Sequence, residues 1–377
     1  MNPIATIAAH KEIIVCAGAG GVGKTTTAAA IALKAAIEGK KTVVLTIDPA
    51  RRLASSLGLK ELHNTPTKVT ARKFEIAGVE PAGELHALML DTKSTFDEVV
   101  MRYAPSPGQA QKIISNRFYR NISGTLSGTQ EYMAMEKLYE LHSEGSYDLI
   151  VMDTPPTRNA LDFLDAPRRL TSFFESRVLR WFLLPYARAG GGFMRVANVA
   201  AVAFLRVLKR IVGDQVLQDT AEFFGNLEGM YEGFKERARA VSALLQSDVT
   251  AFVVVTSPAE ESVTEATFFA SRLNEAHLPF GALVVNRVHP RFGDGVGSRA
   301  RQRSKLKSSD DDARLLAKLL ENEIDFMRVV QREEGNLESL ARKIPRHRWV
   351  QVPYLDREAV DFPGLLAIAD QLFGQSK

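Results

Sequence analysis

Short apolar runs alternate with helix-forming segments along most of the chain. Six runs have the length of buried strands: Ile13 to Ala17, Lys41 to Asp48, Leu85 to Asp91, Leu149 to Asp153, Phe252 to Thr256 and Ala282 to Asn286. Segments of helical composition separate them, the alanine-rich stretch from Thr25 to Glu38 among them. A strand–helix–strand order produces parallel strands. The pattern therefore predicts an α/β fold, a mostly parallel sheet with helices on both faces.

The middle of the chain has a different pattern. Between residues 160 and 246 apolar side chains recur at helical spacing, and strand-like runs are nearly absent. We interpret this region as a helical subdomain inserted between two strands, which divides the core into residues 1–159 and 247–377. A polar, charge-blocked segment at about 291–312 is predicted to be a mobile loop.

Composition narrows the class of protein. Of 377 residues, 45% are hydrophobic and 24% are charged, which excludes a disordered or fibrous chain. Cys16 is the only cysteine, so no internal disulfide forms, and a reducing, cytoplasmic setting is expected. The first eleven residues lack the pattern of a signal peptide, and no apolar run approaches the ~18 residues that a membrane span needs.

Positive charge is concentrated in two segments. Arg168 to Arg210 contains nine Lys or Arg against one acidic residue, and Arg287 to Lys307 contains seven against one, although the net charge of the whole chain is only +4. Such segments indicate an anionic partner or peripheral binding at the inner membrane surface. Solvated helix faces and a loop are the alternative. We expect no nucleic-acid partner.

A phosphate-binding motif follows the first predicted strand. Gly18-Ala19-Gly20-Gly21-Val22-Gly23-Lys24-Thr25 matches G-x-x-x-x-G-K-[ST]. The glycines let backbone N–H groups surround phosphates, Lys24 reaches the β/γ oxygens, and the Thr25 hydroxyl binds Mg²⁺. The next helix directs its positive end at the same phosphates. The motif predicts a P-loop sheet that binds ATP and Mg²⁺, with nucleotide contacts from Gly20, Gly21, Val22, Gly23, Lys24, Thr25 and Thr26.

Two carboxylates end strands at the edge of the sheet where ligands bind in such folds. Asp153 follows Leu149 to Met152, and it can hold a water on Mg²⁺ beside a phosphate loop. Asp48 ends the second predicted strand, and it can orient the water that attacks the γ-phosphate. A cap for a helix at Arg51 to Leu57 is the alternative role of Asp48. Lys24 and Asp48 are thus the candidate catalytic residues, and Thr25 and Asp153 the candidate metal residues.

These motifs together resemble the ArsA/GET/TRC family of P-loop ATPases. The resemblance rests on Gly18 to Thr26, on Asp48-Pro49-Ala50 and on Asp153 to Thr157. It implies that Asp48 belongs to switch I, that Asp153 to Thr157 form switch II, and that Asn286 contacts adenine with the backbone of Pro353 nearby. It also implies a dimer with nucleotides at its interface, and helical subdomains that form a site for a hydrophobic or membrane-protein client.

The chain departs from the family at several positions. Ala19 stands where the family usually has a lysine that reaches the partner's nucleotide, and the zinc-binding CxxC pair is absent. Two assemblies therefore stay open, a homodimer in which Arg52 or Arg158 takes the place of the lysine, and a heterodimer with a lysine-bearing paralogue. So do two other functions, an oxyanion-pump ATPase subunit and a regulatory switch at an anionic membrane surface. Asn286-Arg287-Val288-His289 lacks the aspartate of guanine-binding segments, which favours ATP over GTP.

Overall fold

The structure is a computed structural model. It describes residues 2–48, 52–122, 129–155, 210, 213–227, 230–291, 299–300, 302, 311–355 and 361–374. Most of the predicted helical subdomain lies outside these ranges, as does most of the predicted mobile loop. The domain boundaries at 159 and 246 therefore stay predictions.

Eight strands form one sheet. They are β1 Ile13–Gly18, β2 Lys41–Thr46, β3 Thr67–Lys68, β4 Glu84–Met89, β5 Leu149–Asp153, β6 Thr250–Thr256, β7 Phe280–Val288 and β8 Trp349–Pro353. Their order across the sheet is β3-β4-β2-β5-β1-β6-β7-β8. Every pair is parallel except β3 with β4. The parallel arrangement brings the carboxyl ends of seven strands to the same edge.

Helices connect the strands. They are α1 Pro3–His10, α2 Lys24–Ile37, α3 Arg52–Ser56, α4 Ala71–Ile76, α5 Thr92–Tyr103, α6 Pro107–Ser115, α7 Arg117–Ile122, α8 Thr129–Ser143, α9 Asp214–Leu227, α10 Tyr231–Gln246, α11 Glu260–Glu275, α12 Asp311–Ala341 and α13 Phe362–Leu372. No helix in the described ranges is long and apolar enough to cross a membrane.

Alternate residues of β1 belong to separate hydrophobic cores on the two faces of the sheet. Ile13 and Val15 pack with residues of α5, α8, α10 and α11, whereas Ile14 and Cys16 pack with residues of α1, α2 and α13. All four side chains are fully buried. A strand covered on both faces needs apolar residues at every position, which explains the uninterrupted apolar run.

The predicted fold class is confirmed, an α/β protein with a mostly parallel sheet and helices on both faces. The six predicted strands are present, with ends that differ by up to two residues; β2, for example, stops at Thr46 rather than at Asp48. The apolar pattern did not predict α1, β3 or β8. In the middle of the chain, α9 and α10 confirm helices where the spacing predicted them, and Phe223, Phe234 and Val241 are buried in the core.

Candidate active site

The phosphate loop begins where β1 ends, in the centre of the sheet. Gly18 has a φ of 152°, and a Cβ placed on it would lie 2.0 Å from the carbonyl oxygen of Val255 on β6. Gly23 has a φ of 98° and precedes the first turn of α2. A side chain is excluded at Gly18 by contact with the neighbouring strand and is strained at Gly23 by the backbone conformation. The motif glycines thus allow the chain to turn sharply from strand to helix.

Lys24 folds back over the loop. Its Nζ donates a hydrogen bond to the carbonyl oxygen of Ala19 at 2.7 Å, and only 6% of the residue is exposed. Burial lowers the pKa of the Lys24 ammonium, while the nearby carboxylates of Asp153 and Asp48 oppose that shift. The loop therefore holds a nearly buried cation beside its own backbone.

Asp153 lies at the end of β5, one strand away from the phosphate loop. Its Oδ2 accepts hydrogen bonds from two hydroxyls, Thr25 Oγ1 at 2.6 Å and Thr46 Oγ1 at 2.9 Å. Its Oδ1 is buried and has no hydrogen-bond partner among the residues that the structure describes. Burial raises the pKa of Asp153 to about 6, although the two hydroxyls and Lys24 pull it down. A buried carboxylate oxygen without a partner is unfavourable unless a ligand or water satisfies it.

Asp48 lies two residues beyond the end of β2. Its backbone N–H donates to Thr46 Oγ1 at 3.1 Å, so the hydroxyl that binds Asp153 also holds the backbone of Asp48. The side chain of Asp48 is half-buried and borders a cavity of about 190 Å³. Other residues that line this cavity are Thr46, Leu53, Ala54, Glu61, Leu62, His63 and Met89.

Asn286 and Pro353 lie on the opposite side of β1 from Asp153 and Asp48, near the end of β7 and at the end of β8. The Asn286 Nδ2 donates to the carbonyl oxygen of Val22 within the phosphate loop at 2.8 Å. Pro353 pairs with Val288 across the two strands. Asn286 therefore contacts the phosphate loop itself, and Pro353 lies on the next strand.

The donor set around Asp153 fits Mg²⁺. The ion favours oxygen ligands and commonly takes one or two protein ligands, with phosphate oxygens and waters completing its shell. Asp153 Oδ1 and the Thr25 hydroxyl are such oxygens, and the former is unsatisfied. No cluster of three or more His, Cys, Asp or Glu residues suited to a metal occurs in the described parts of the chain. The two oxygens of Asp153 and Thr25 thus suit an ion whose remaining ligands are phosphate oxygens and waters.

Sequence reasoning singled out most of these residues and missed Thr46. A threonine near the end of a strand carries no distinctive motif. Its position became informative only with the register, which pairs Thr46 of β2 directly with Asp153 of β5. The structure brings Lys24, Thr25 and Asp153 together in one group, and Thr26 is half-buried in the first turn of α2. Arg158, a suggested substitute for the missing lysine, lies outside the described residues.

Known proteins with similar sequences are ATPases by name. "ATPase GET3C" of Arabidopsis thaliana is 26% identical over 290 residues, 74% of this chain and 68% of the relative. "ATPase ASNA1 homolog" of Cryptosporidium parvum is 25% identical over 272 residues, 72% and 63% of the two chains. An Aquifex aeolicus protein with the provisional name arsenical pump-driving ATPase 1 is 27% identical over 291 residues, 74% and 64%. The match therefore covers less than two thirds of the length of the Cryptosporidium parvum and Aquifex aeolicus proteins. The family model described as "Anion-transporting ATPase" matches residues 11–312, so this chain belongs to that family.

Proposed function

We propose that this chain is a Mg²⁺-dependent ATPase whose reaction takes place between the phosphate loop, Asp153 and Asp48. The observation that carries the proposal is the state of the Asp153 carboxylate. One oxygen is held by two hydroxyls, and the other is buried without a partner among the described residues, beside the phosphate loop. A carboxylate in this state is suited to bind a cation that accompanies a nucleotide.

The loop residues bind and orient the triphosphate. Backbone N–H groups of residues 20–26 and the N-terminal end of α2 face the phosphates, and Lys24 exchanges the Ala19 carbonyl for phosphate oxygens. Thr25 and Asp153 would hold Mg²⁺, which would supply positive charge to stabilise the phosphates during transfer. Thr25 offers its oxygen to the ion while its proton stays directed at Asp153. At the other end, Asn286 and the Pro353 backbone contact the adenine.

Asp48 orients the attacking water. It lies at the carboxyl end of the sheet, one strand beyond Asp153, and it borders a cavity of about 190 Å³ that exceeds the ≈30 Å³ share of one water. Phosphoryl transfer depends almost entirely on positioning and electrostatics, so a half-buried carboxylate at this place suits the role.

Nucleotide state is coupled to dimer closure and to a hydrophobic or membrane-associated client. Helix α8 supports this coupling because it contacts both the active site and the middle of the chain. Near its start, Gln130 Nε2 donates to the Ile47 carbonyl at 3.4 Å, next to Asp48. Two turns later, the buried Glu136 accepts a hydrogen bond from Arg237 of α10 at 2.7 Å.

Titration calorimetry with Mg·ATP tests the nucleotide site. Lys24→Ala removes the cation that faces the phosphates, so we expect binding to become undetectable. Lys34→Ala is the matched control, a buried lysine on the same helix that pairs with Asp370 instead. Equal ATP affinity in the wild type and Lys24→Ala would sink the assignment, and weak binding by both variants would indicate a folding defect.

Sedimentation velocity tests the dimer separately. We expect the purified chain to sediment as a dimer, and as a more compact one with a non-hydrolysable ATP analogue than with ADP. A chain that stays monomeric with both contradicts the homodimer. In that case a paralogue with a lysine in place of Ala19 is the partner to add. Ala19 itself is 8% exposed and carries no charge, so it cannot supply a cation to the nucleotide of a second subunit.

A further inference from the structure

The side chain of Asn286 connects the end of β7 to the phosphate loop. Strand β6 lies between β7 and β1, yet Asn286 Nδ2 reaches the carbonyl oxygen of Val22 at 2.8 Å. Its Oδ1 accepts a hydrogen bond from the backbone N–H of Arg287 at 3.0 Å. Because one end of the amide faces an acceptor and the other a donor, the orientation of the side chain is determined.

The loop leaves space for this amide. Gly23 follows Val22, and a Cβ on Gly23 would lie 2.3 Å from Asn286 Nδ2. The Val22 side chain is 3% exposed and packs in the core on the α2 face of the sheet. The loop at residues 22–23 is therefore held on one side by the core and on the other by Asn286.

The backbone beside Asn286 is strained. Arg287 has a φ of 60°, a left-handed conformation that is uncommon for a residue with a side chain. Such conformations persist where the surroundings hold them, and here the Arg287 N–H binds the Asn286 side chain. The strain coincides with the point where the side chain is locked toward the loop.

From this geometry we infer that Asn286 is a positioning residue for the phosphate loop. It holds the Val22 carbonyl so that the loop N–H groups already face the phosphate site before nucleotide arrives. The inference rests on the proposed nucleotide function and goes beyond a contact with the base. One N–H of the Asn286 amide and one lone pair of its oxygen stay available for adenine, so a single side chain connects base binding to the shape of the loop.

Amide hydrogen exchange of the nucleotide-free protein tests the inference without any ligand. A net hydrogen bond lost from the loop should speed exchange of residues 19–24 by about three- to tenfold in Asn286→Ala. Exchange in β6 should stay unchanged, which separates loop positioning from general destabilisation. Asn286→Asp, which keeps the shape but removes the donor, should loosen the loop as well.

Asn336→Ala is the matched control. Asn336 is also half-buried, and its Nδ2 donates to the Pro258 carbonyl at 2.9 Å, outside the phosphate loop. It should leave exchange of the loop unchanged. Unaltered loop exchange in both Asn286 variants overturns the inference, and a loss of ATP affinity in those same variants would then make Asn286 a base contact only. A wild-type protein that binds no Mg·ATP defeats the proposed function, whereas the exchange result stands independently of it.

Discussion

Asp153 and Asp48 are the same residue type at the same edge of the sheet, yet their surroundings differ. Asp153 is 1% exposed, accepts two hydroxyl hydrogen bonds and has a pKa raised to about 6 by burial. Asp48 is half-buried beside a cavity, and its backbone N–H donates a hydrogen bond to the Thr46 hydroxyl. The position of Asp153 is established by the folded core, whereas Asp48 belongs to a segment that extends beyond its strand.

The difference suggests two roles for two carboxylates. A group locked between strands can present an oxygen to an ion in a constant place. A group on a strand extension can adjust to a nucleotide and a water. Thr46 contacts both, since its hydroxyl donates to Asp153 and accepts from the Asp48 N–H.

The largest effect is expected from Asp48→Asn, in the rate of hydrolysis. If Asp48 orients the attacking water as we propose, loss of its carboxylate should lower kcat by about 10²- to 10⁴-fold, while calorimetric ATP affinity stays close to that of the wild type. The control is Asp148→Asn, at the opposite end of β5, where the carboxylate accepts from the Lys41 N–H. Wild-type turnover in Asp48→Asn would reduce Asp48 to a structural role and remove the contrast with Asp153.

A smaller effect is expected from Asp153→Asn, in Mg²⁺ affinity. The amide keeps an acceptor for the hydroxyls of Thr25 and Thr46 but loses the charge that attracts the ion. The Mg²⁺ concentration for half-maximal turnover should rise by about 10- to 100-fold, as for other groups around a metal. An unchanged requirement for Mg²⁺ would contradict the assignment of Asp153.

The same substitution should stabilise the nucleotide-free protein. A buried carboxyl with a folded-state pKa of about 6 adds stability below its unfolded pKa near 4, and this contribution disappears as the pH rises through 6. The amide that replaces the carboxyl in Asp153→Asn carries no charge at any pH. At pH 7 the free energy of unfolding should therefore be higher in Asp153→Asn by about 1–3 kcal/mol, and the excess should vanish below pH 4.

Urea unfolding at pH 4, 5, 6 and 7 measures this difference. A constant gap between the wild type and Asp153→Asn across these pH values would show that Asp153 titrates normally. A gap that closes toward pH 4 would show that burial in the core raises the pKa of Asp153.

Three of the strands that sequence predicted are covered on both faces. β1, β5 and β6 are uninterrupted apolar runs because each residue meets a helix layer. β8 is different: Val350 and Val352 are buried but Gln351 is exposed, and an alternation of only five residues that ends in a proline is too short to stand out in the sequence. β3 has two residues and depends on its partner β4.

Prediction of the active site from sequence was likewise limited to residues within a local motif. Motifs located Lys24 and Thr25 because their roles depend on neighbours in the chain. The bond from Thr46 to Asp153 spans 107 positions, and that from Asn286 to Val22 spans 264. Both depend on strand order and register, which no local pattern encodes.

The central position of β1 also determines how the protein denatures. β1 has four strands on one side and three on the other, and it is covered on both faces. β1 cannot detach while the remaining sheet stays intact, so the strand that anchors the phosphate loop is lost only when the core unfolds, even though the loop itself can open locally. Bound nucleotide is therefore linked to global unfolding, and it raises the melting temperature of the entire core by mass action as its concentration exceeds Kd.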